Sequence, residues 1–454
     1  MSGTLHFVGI GGIGMSAIAR VLLARGESVT GSDVSDSAII AQLRELGATI
    51  TIGHSNRNVN GAREVIVSSA IDHENPEYRY ACQAGIPVIA RGEMLRRIME
   101  DRRGIAVCGT HGKTTTTAMA AAVLRSGGID AGLVLGGIDV LTGTNAHNGE
   151  DPYFLTEADE SDGSFALLEP AIAVVTNIEN DHLSSDAELP KLVAAFDAFL
   201  ARLPRDGTAI IGVDNPQSRS IVQSSRQAAT VTFGIAADAF VRAEDIRFAD
   251  LGSTFDVIAG TQSLGSLNLQ VPGAINIENA LGAVCVGRAL GIPFDRIREA
   301  LGRFRGVRRR FEIVARTPRM IVVDDYAHHP TAIRATIVAA RQYHKGPIIV
   351  AFQPHRYTRT AYLAPAFAAA LAAADEVYLT PVYAASEPPI AGVSERSIGN
   401  LLESNGTIVH YVKYVHELRS VLARQARENA LVLMLGAGNI TKVAADLAKD
   451  VNAA

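Results

Sequence analysis

Tryptophan is absent from the 454-residue chain, cysteine occurs three times, and lysine is confined to Lys113, Lys191, Lys345, Lys413, Lys442 and Lys449. The cysteines, Cys82, Cys108 and Cys285, are too few and too scattered for a disulfide framework or a zinc cluster. They are expected as reduced thiols in buried strands or helices. No apolar run is long enough to span a bilayer. The opening residues Met1 to His6 lack the basic flank and apolar stretch of a secretory signal, so a cytoplasmic location without a membrane partner is expected. Charge of neither sign dominates: the formal net charge of -5 provides no field that would draw the chain to nucleic acid. Arginine carries nearly all the positive charge, which makes a lysine inside a glycine-rich loop the more pointed signal.

What is present is the composition of a globular protein with substantial cores: 48% apolar and 20% charged residues. Short apolar runs alternate with helical stretches, the pattern of parallel sheets with crossover helices. The spacing predicts three α/β units, at residues 1–103, 104–311 and 312–454. The first opens with a strand at Leu5 to Val8, a glycine turn and a helix from Met15 to Arg25. The second opens with a strand at Gly104 to Cys108, followed by strands at Tyr153 to Leu155 and Ala171 to Val175. Its stretch from Ala209 to Leu269 is expected as a peripheral β-sheet. The third alternates through Met320 to Val323, Pro347 to Phe352, Val377 to Leu379 and Leu431 to Leu435.

Gly109-Thr110-His111-Gly112-Lys113-Thr114 lies between the strand ending at Cys108 and the helical stretch from Thr115 to Leu124. Glycines let backbone N–H groups face one concavity, and a helix N-terminus adds partial positive charge for phosphate oxygens. Lys113 would reach the terminal phosphates of a nucleoside triphosphate, and the Thr114 hydroxyl would ligate magnesium. The loop departs from the strict Walker pattern, since Val107 stands where its first glycine belongs.

A second glycine turn, Gly9-Ile10-Gly11-Gly12-Ile13-Gly14, follows the first strand, and Asp33 ends the next one. That arrangement fits a nucleotide pyrophosphate, with the acid on a ribose. It leaves open both a nicotinamide-dependent dehydrogenase and a sugar-nucleotide site. Acids at Glu157-Ala158-Asp159-Glu160-Ser161-Asp162 follow a buried strand beside the phosphate loop, where hard oxygen donors suit magnesium. Thr176-Asn177-Ile178-Glu179-Asn180-Asp181-His182 follows another, and His182 is a candidate second metal ligand. Arg308-Arg309-Arg310 falls at the junction of the second and third units, placed to bring a guanidinium to a γ-phosphate on closure. Asp324 to Pro330 and Phe352 to Arg359 are polar, His- and Arg-bearing loops at strand ends, suited to an anionic substrate.

Taken in order, these motifs resemble those of the Mur ligase family of peptidoglycan synthesis. The resemblance runs from Gly9 to Met15 through Gly109 to Thr114, Glu157 to Phe165, Thr176 to His182, Pro272-Gly273 with Asn276 and Asn279, Arg309-Arg310-Phe311, Asp324 to Thr331, Phe352 to Thr360 and Val382 to Ala385. It implies a Rossmann-like N-terminal domain for a UDP-sugar, a central P-loop ATPase domain, and a Rossmann-like C-terminal domain that closes over an amino acid. Gly9, Gly11, Gly12, Gly14, Asp33, Ser68, Ser69 and Arg91 would form the UDP-sugar site. Gly109 to Thr115, with Asn276 and Asn279, would bind ATP, the asparagines on the adenine side. Thr114, Glu157 and His182 would serve Mg2+, or Mn2+ in its place. Lys113, His182, Arg309, Arg310 and His328 would be catalytic, and Asp325, His328, Arg356 and Arg359 would face the amino acid. Ile275 and Ala332 depart from the family's usual histidine and glutamate. The reaction implied joins L-alanine to the lactyl carboxylate of UDP-N-acetylmuramate at the expense of ATP, through an acyl phosphate. A family member that recycles murein tripeptide is the nearest alternative, and a homodimer is compatible with either.

Overall fold

Short apolar runs alternate with helices over much of the chain, and the strands of the described residues assemble into three sheets. The computed structural model describes residues 3–159, 164–180, 188–224, 228–425 and 429–453. In the first sheet the parallel order is Thr49–Ile52, Val29–Asp33, Thr4–Val8, Ala62–Val67, Val88–Ala90. The chain winds one way from Thr4–Val8 and then crosses to its other side. The carboxyl ends of Thr4–Val8 and Ala62–Val67 therefore flank a crevice, the usual ligand position in such sheets.

The second sheet has ten strands. Its parallel centre places Arg103–Cys108 between Ile172–Val175 and Tyr153–Glu157. The loops after these strands consequently share one edge. The region expected as a peripheral sheet contains an antiparallel meander, Val241–Ala249, Gly252–Ala259 and Gln262–Leu269. It is continuous with the central sheet through a short parallel pairing, Phe233 with Val241 and Gly234 with Arg242. Strand Gly252–Ala259 alternates strictly, with Phe255, Val257 and Ala259 turned into the core under helices Ala274–Ala289 and Phe294–Arg303.

The third sheet runs Glu312–Arg316, Met320–Asp325, Ala430–Leu435, Ile348–Phe352, Glu376–Leu379, Ile408–Tyr411. Only its first strand is antiparallel. Met320–Asp325 is thus its second strand, and Asp324 and Asp325 complete that strand instead of following it. Apolar side chains fill both faces of this sheet. By contrast, one apolar cluster runs without a break from Leu5 and Phe7 through Met94 and Ile98 to Phe165 and Val175, joining the first two units.

The cysteines divide differently from expectation. Cys108 and Cys285 are buried, but Cys82 is exposed, because helix Pro76–Gln83 turns Ala81 inward and Cys82 to solvent. No helix of the described residues is long and apolar enough to cross a membrane.

Candidate active site

The phosphate loop ends in a helix, Lys113–Ser126, whose first turn has no acidic residue and no side-chain cap. Its amide N–H groups are therefore directed at the loop's concavity. Gly112 precedes the helix at φ +84°, and a Cβ there would strike Asn279 Oδ1, so glycine is required on two counts. Lys113 Nζ donates to the carbonyls of Gly109 (2.6 Å) and Thr110 (3.3 Å), which holds the ammonium at the loop. Thr115 lies buried one residue beyond Thr114.

The segment after strand Ile172–Val175 clamps this loop. Thr176 Oγ1 donates to the His111 carbonyl at 2.6 Å, and the Asn177 amide both accepts from His111 N–H (2.8 Å) and donates to the His111 carbonyl (3.1 Å). Glu179 N–H donates to Thr110 Oγ1 at 2.8 Å. The Glu179 carboxylate lies 3.4 Å from His111 Nε2, and this contact holds its pKa below the ordinary value despite burial. The His111 ring in turn meets His329 of the third domain, ring centres 5.7 Å apart.

Thr114 Oγ1 donates to Glu157 Oε2 at 2.9 Å, and Gly136 N–H donates to Glu157 Oε1 at 2.5 Å. Burial pushes the Glu157 carboxyl up, opposed by these donors and by the charges of Lys113 and Arg310. An extra cation beside this carboxylate would favour its ionised form. The donor set is a hydroxyl and a carboxylate, the hard oxygens that magnesium takes together with substrate phosphates, and so it fits that ion. Among the described residues no group of three or more His, Cys, Asp and Glu side chains forms a metal cage. His182 and the acidic residues Glu160 and Asp162 lie outside the described residues.

Asn276 and Asn279 lie on the first turns of helix Ala274–Ala289. Asn279 is 4% exposed; its Oδ1 accepts from Thr116 Oγ1 (3.1 Å) and its Nδ2 donates to Asn276 Oδ1 (3.0 Å). It supports the phosphate loop from below, which leaves it little surface for a base. Beside it, burial and the nearby Asp214 and Glu179 push Glu278 up to about 8.

In the first domain the glycine turn is braced by Asp33, whose Oδ2 accepts from Gly11 N–H at 2.9 Å. Gly9 N–H and Ile10 N–H both donate to the Ser32 carbonyl, so the opening half of the turn is tied to the second strand. Helix Ile13–Ala24 then starts with no side-chain cap and no acid in its first turn. The Arg91 guanidinium lies against Gly14, with Nη1 3.2 Å from where a Cβ would stand, which adds a cation to that helix N-terminus. Ser68 and Ser69 follow the adjacent strand Ala62–Val67, whose end is in register with Val8. Sequence reasoning missed the acceptor beneath this site: Glu77, fully buried, accepts from Ser32 Oγ (2.5 Å), Asn58 Nδ2 (2.6 Å) and Ser55 N–H (3.1 Å), with His6 Nε2 at 3.4 Å. Burial alone would raise its pKa, but the His6, Ser32, Asn58 and Ser55 donors together hold it at about 2.

The arginines at the junction separate in role. Arg309, at φ +62°, donates from Nη2 to the Gly436 carbonyl at 2.7 Å, stacks over Tyr326 and lies 3.8 Å from Asp324. It is committed to the third sheet. Arg310 is exposed, lies over the same Tyr326 ring at 5.1 Å, and is the one whose charge acts on Glu157. Asp325 is turned into the protein: its carboxylate accepts from Phe311 N–H (2.9 Å), Ala327 N–H (2.7 Å) and Thr336 Oγ1 (3.2 Å), so it shapes the junction instead of presenting itself to a ligand. Burial pushes its pKa up, opposed mainly by Arg310.

His328 Nδ1 lies 2.9 Å from the Tyr326 carbonyl, an obligate acceptor, so the proton sits on Nδ1. Its ring packs edge-on against His355, which stacks on Tyr383. Burial and then Arg359 and Arg356 lower the His355 pKa to about 4, so it is neutral at pH 7. Arg356 caps helix Tyr357–Leu371 at φ +71°, a left-handed conformation held by its N–H bond to the Tyr383 carbonyl at 2.8 Å.

Comparison with known proteins places most of the chain in one family. Residues 4–103 match the family model described as Mur ligase family, catalytic domain; residues 107–287 match the Mur ligase middle domain; residues 309–438 match the Mur ligase, glutamate ligase domain. A UDP-N-acetylmuramate–L-alanine ligase from Solibacter usitatus is 44% identical over 438 residues, covering 96% of this chain and 93% of the relative. The crystal structure of a UDP-N-acetylmuramate-alanine ligase from Thermotoga maritima superposes with a TM-score of 0.86 at 32% identity, covering 99% of each chain. A murein peptide ligase from Psychrobacter arcticus shares the fold, with a TM-score of 0.76 at 24% identity over 99% of this chain and 98% of its own.

Proposed function

The chain belongs to the Mur ligase family, and from that premise we propose that it joins L-alanine to the lactyl carboxylate of UDP-N-acetylmuramate at the expense of ATP, in peptidoglycan precursor synthesis. The observation that carries this reading is the shared edge of Lys113, Thr114 and Glu157 within a chain that matches an alanine-adding relative over nearly its full length. We assign residues 1–103 to the sugar nucleotide, 104–311 to ATP and 312–454 to the amino acid and closure.

The glycine turn, Arg91 and the uncapped helix at Ile13 hold the UDP diphosphate in this reading, with Ser68 and Ser69 at its rim. Asp33 keeps the turn in shape through Gly11. The phosphate loop cradles the ATP phosphates, and Lys113 supplies charge at the terminal ones. Carboxylate attack on a phosphate brings two anions together, so fixed cations are what the site must provide. Arg310, exposed at the junction and acting on Glu157, is the arginine that suits the γ-phosphate; Arg309 anchors the junction. Thr114 and Glu157 would hold Mg2+, which supplies further charge neutralisation at the phosphates when bound. Arg356, Arg359 and His328 face the amino acid, the arginines toward its carboxylate. The neutral His355 beside them adds no charge of its own at neutral pH. Closure of the third domain, through His329 and His111, excludes water from the acyl phosphate. The nucleotide substrates put this reaction in the cytoplasm.

The test is ADP release by the purified protein with ATP, Mg2+ and UDP-N-acetylmuramate, offered in turn L-alanine, L-serine, glycine and murein tripeptide, with the product identified by mass. Release that needs the sugar nucleotide and is fastest with L-alanine supports the reading. Release independent of the sugar nucleotide would sink it, and preference for tripeptide would favour the recycling ligase.

A further inference from the structure

One buried side chain ties the first domain to the second. Asn145, 2% exposed, lies between strands Gly132–Val134 and Ala146–His147 of the central sheet. Its Nδ2 donates to the Ile13 carbonyl at 2.8 Å and lies 3.1 Å from Ser16 Oγ. Both partners belong to the first turn of helix Ile13–Ala24, which opens from the glycine turn. Ser16 Oγ in turn donates to the Ile13 carbonyl at 3.0 Å. An amide nitrogen carries two hydrogens, and here both cross the domain boundary.

The same segment reaches the phosphate loop. The Asn145 carbonyl accepts from Leu135 N–H at 2.9 Å. The next residue, Gly136, donates its N–H to Glu157 Oε1, while Glu157 Oε2 accepts from Thr114. A short hydrogen-bonded path therefore links the diphosphate turn to the first hydroxyl of the phosphate-loop helix.

We infer that Asn145 is a positioning residue for the ligase reaction: it fixes the distance and orientation between the sugar-nucleotide carboxylate, held from the first domain, and the γ-phosphate, held in the second. The inference rests on the ligase reading above. Two reactants carried by different domains meet productively only if the domains keep register, and an error of about 1 Å costs on the order of 10²-fold in rate. Asn145 is too buried to touch either reactant, so its effect passes through Ile13 and Gly136. An aspartate there would set an oxygen against the Ile13 carbonyl.

The experiment compares the full-length protein with Asn145→Asp and Ser16→Ala, the latter removing one partner and sparing the Asn145–Ile13 bond. Calorimetry gives the affinity for UDP-N-acetylmuramate and for ATP; steady-state assays give kcat and the ratio of ADP released to amide formed. For Asn145→Asp the expected result is a fall in kcat of about 10- to 100-fold with both affinities within about threefold. ADP release in excess of amide should accompany it, because a misaligned carboxylate lets water take the phosphoryl group. Ser16→Ala should move the same quantities by a few-fold, and it carries the test if the aspartate variant does not fold. Unchanged turnover and coupling in the folded variants, with only a lower Tm, overturns the inference. So does loss of sugar-nucleotide affinity with coupling intact. Wild-type protein that fails to require the sugar nucleotide defeats the ligase reading itself, whatever the variants do.

Discussion

Thr114 Oγ1 donates to Glu157 Oε2 across 2.9 Å, so the first hydroxyl of the phosphate-loop helix and the carboxylate at the end of the neighbouring strand act as one polar edge. Glu157→Gln preserves shape but places an amide where an acceptor is needed. Its kcat should fall by roughly 10²–10³-fold, the scale of losing one charge-stabilising group. Calorimetric affinity for the sugar nucleotide should be unchanged, and a parallel loss of both would mean that Glu157 serves the first domain.

Lys113→Ala should abolish turnover and leave UDP-sugar binding nearly intact, because the lysine is confined to the loop through Gly109 and Thr110. Loss of both binding and turnover would show the domain assignment to be mistaken.

The two junction arginines should separate in one pair of measurements. Arg310→Ala should lower kcat by about 10²–10³-fold with a smaller fall in Tm than Arg309→Ala, since its exposed guanidinium shares the Tyr326 ring and its charge acts on both Glu157 and Asp325. Arg309→Ala should mainly lower Tm, because it removes the bond to the Gly436 carbonyl and the stacking on Tyr326. The reverse pattern would exchange their roles.

The Glu77 carboxylate gives the pH dependence its sign. Its folded-state pKa is depressed from 4.5 to about 2, so its ionised form stabilises the fold at all pH above about 4.5. That contribution fades as pH falls through 4.5 toward 2. Glu77→Gln should therefore be less stable than wild type at pH 7, by up to about 3 kcal/mol. The difference should narrow below pH 4.5 in denaturation curves taken at stepped pH. A gap that stays constant from pH 7 to pH 3 would contradict the assignment.

Arg356 stands at φ +71° where glycine would be unstrained. Arg356→Gly should hold or raise Tm while raising KM for L-alanine more than tenfold, the effect of losing a charge-assisted contact to its carboxylate. A fall in Tm with KM unchanged would place Arg356 among structural residues.

The legible parts of this molecule in its sequence were those whose chemistry is local. Strand, glycines, Lys113 and Thr114 are contiguous, so the phosphate loop and its helix could be read directly, as could the glycine turn after Val8. Relations between distant segments could not. Nothing near Asn145 marks it as a partner of Ile13, 132 residues away. Glu77 reads as an ordinary helix-start acid until the fold brings Ser32, Asn58 and His6 to it. The adjacent Arg309 and Arg310 are indistinguishable as letters, and only the direction of each side chain separates them. The resemblance put Asp325 at the amino acid, and no sequence pattern shows that three donors converge on its carboxylate from inside. The peripheral sheet was legible as β structure, but its junction with the main sheet is a two-residue pairing, too short to leave a pattern.

The central claim, that the phosphate loop activates a carboxylate for amide formation, is tested most directly by oxygen transfer. UDP-N-acetylmuramate labelled with 18O in both lactyl carboxylate oxygens is turned over with ATP, Mg2+ and L-alanine, and the phosphate produced is weighed by mass spectrometry. An acyl phosphate passes one carboxylate oxygen to phosphate at each turnover, so singly labelled phosphate in proportion to the ADP formed is the expected result. Unlabelled phosphate alongside amide product would contradict it.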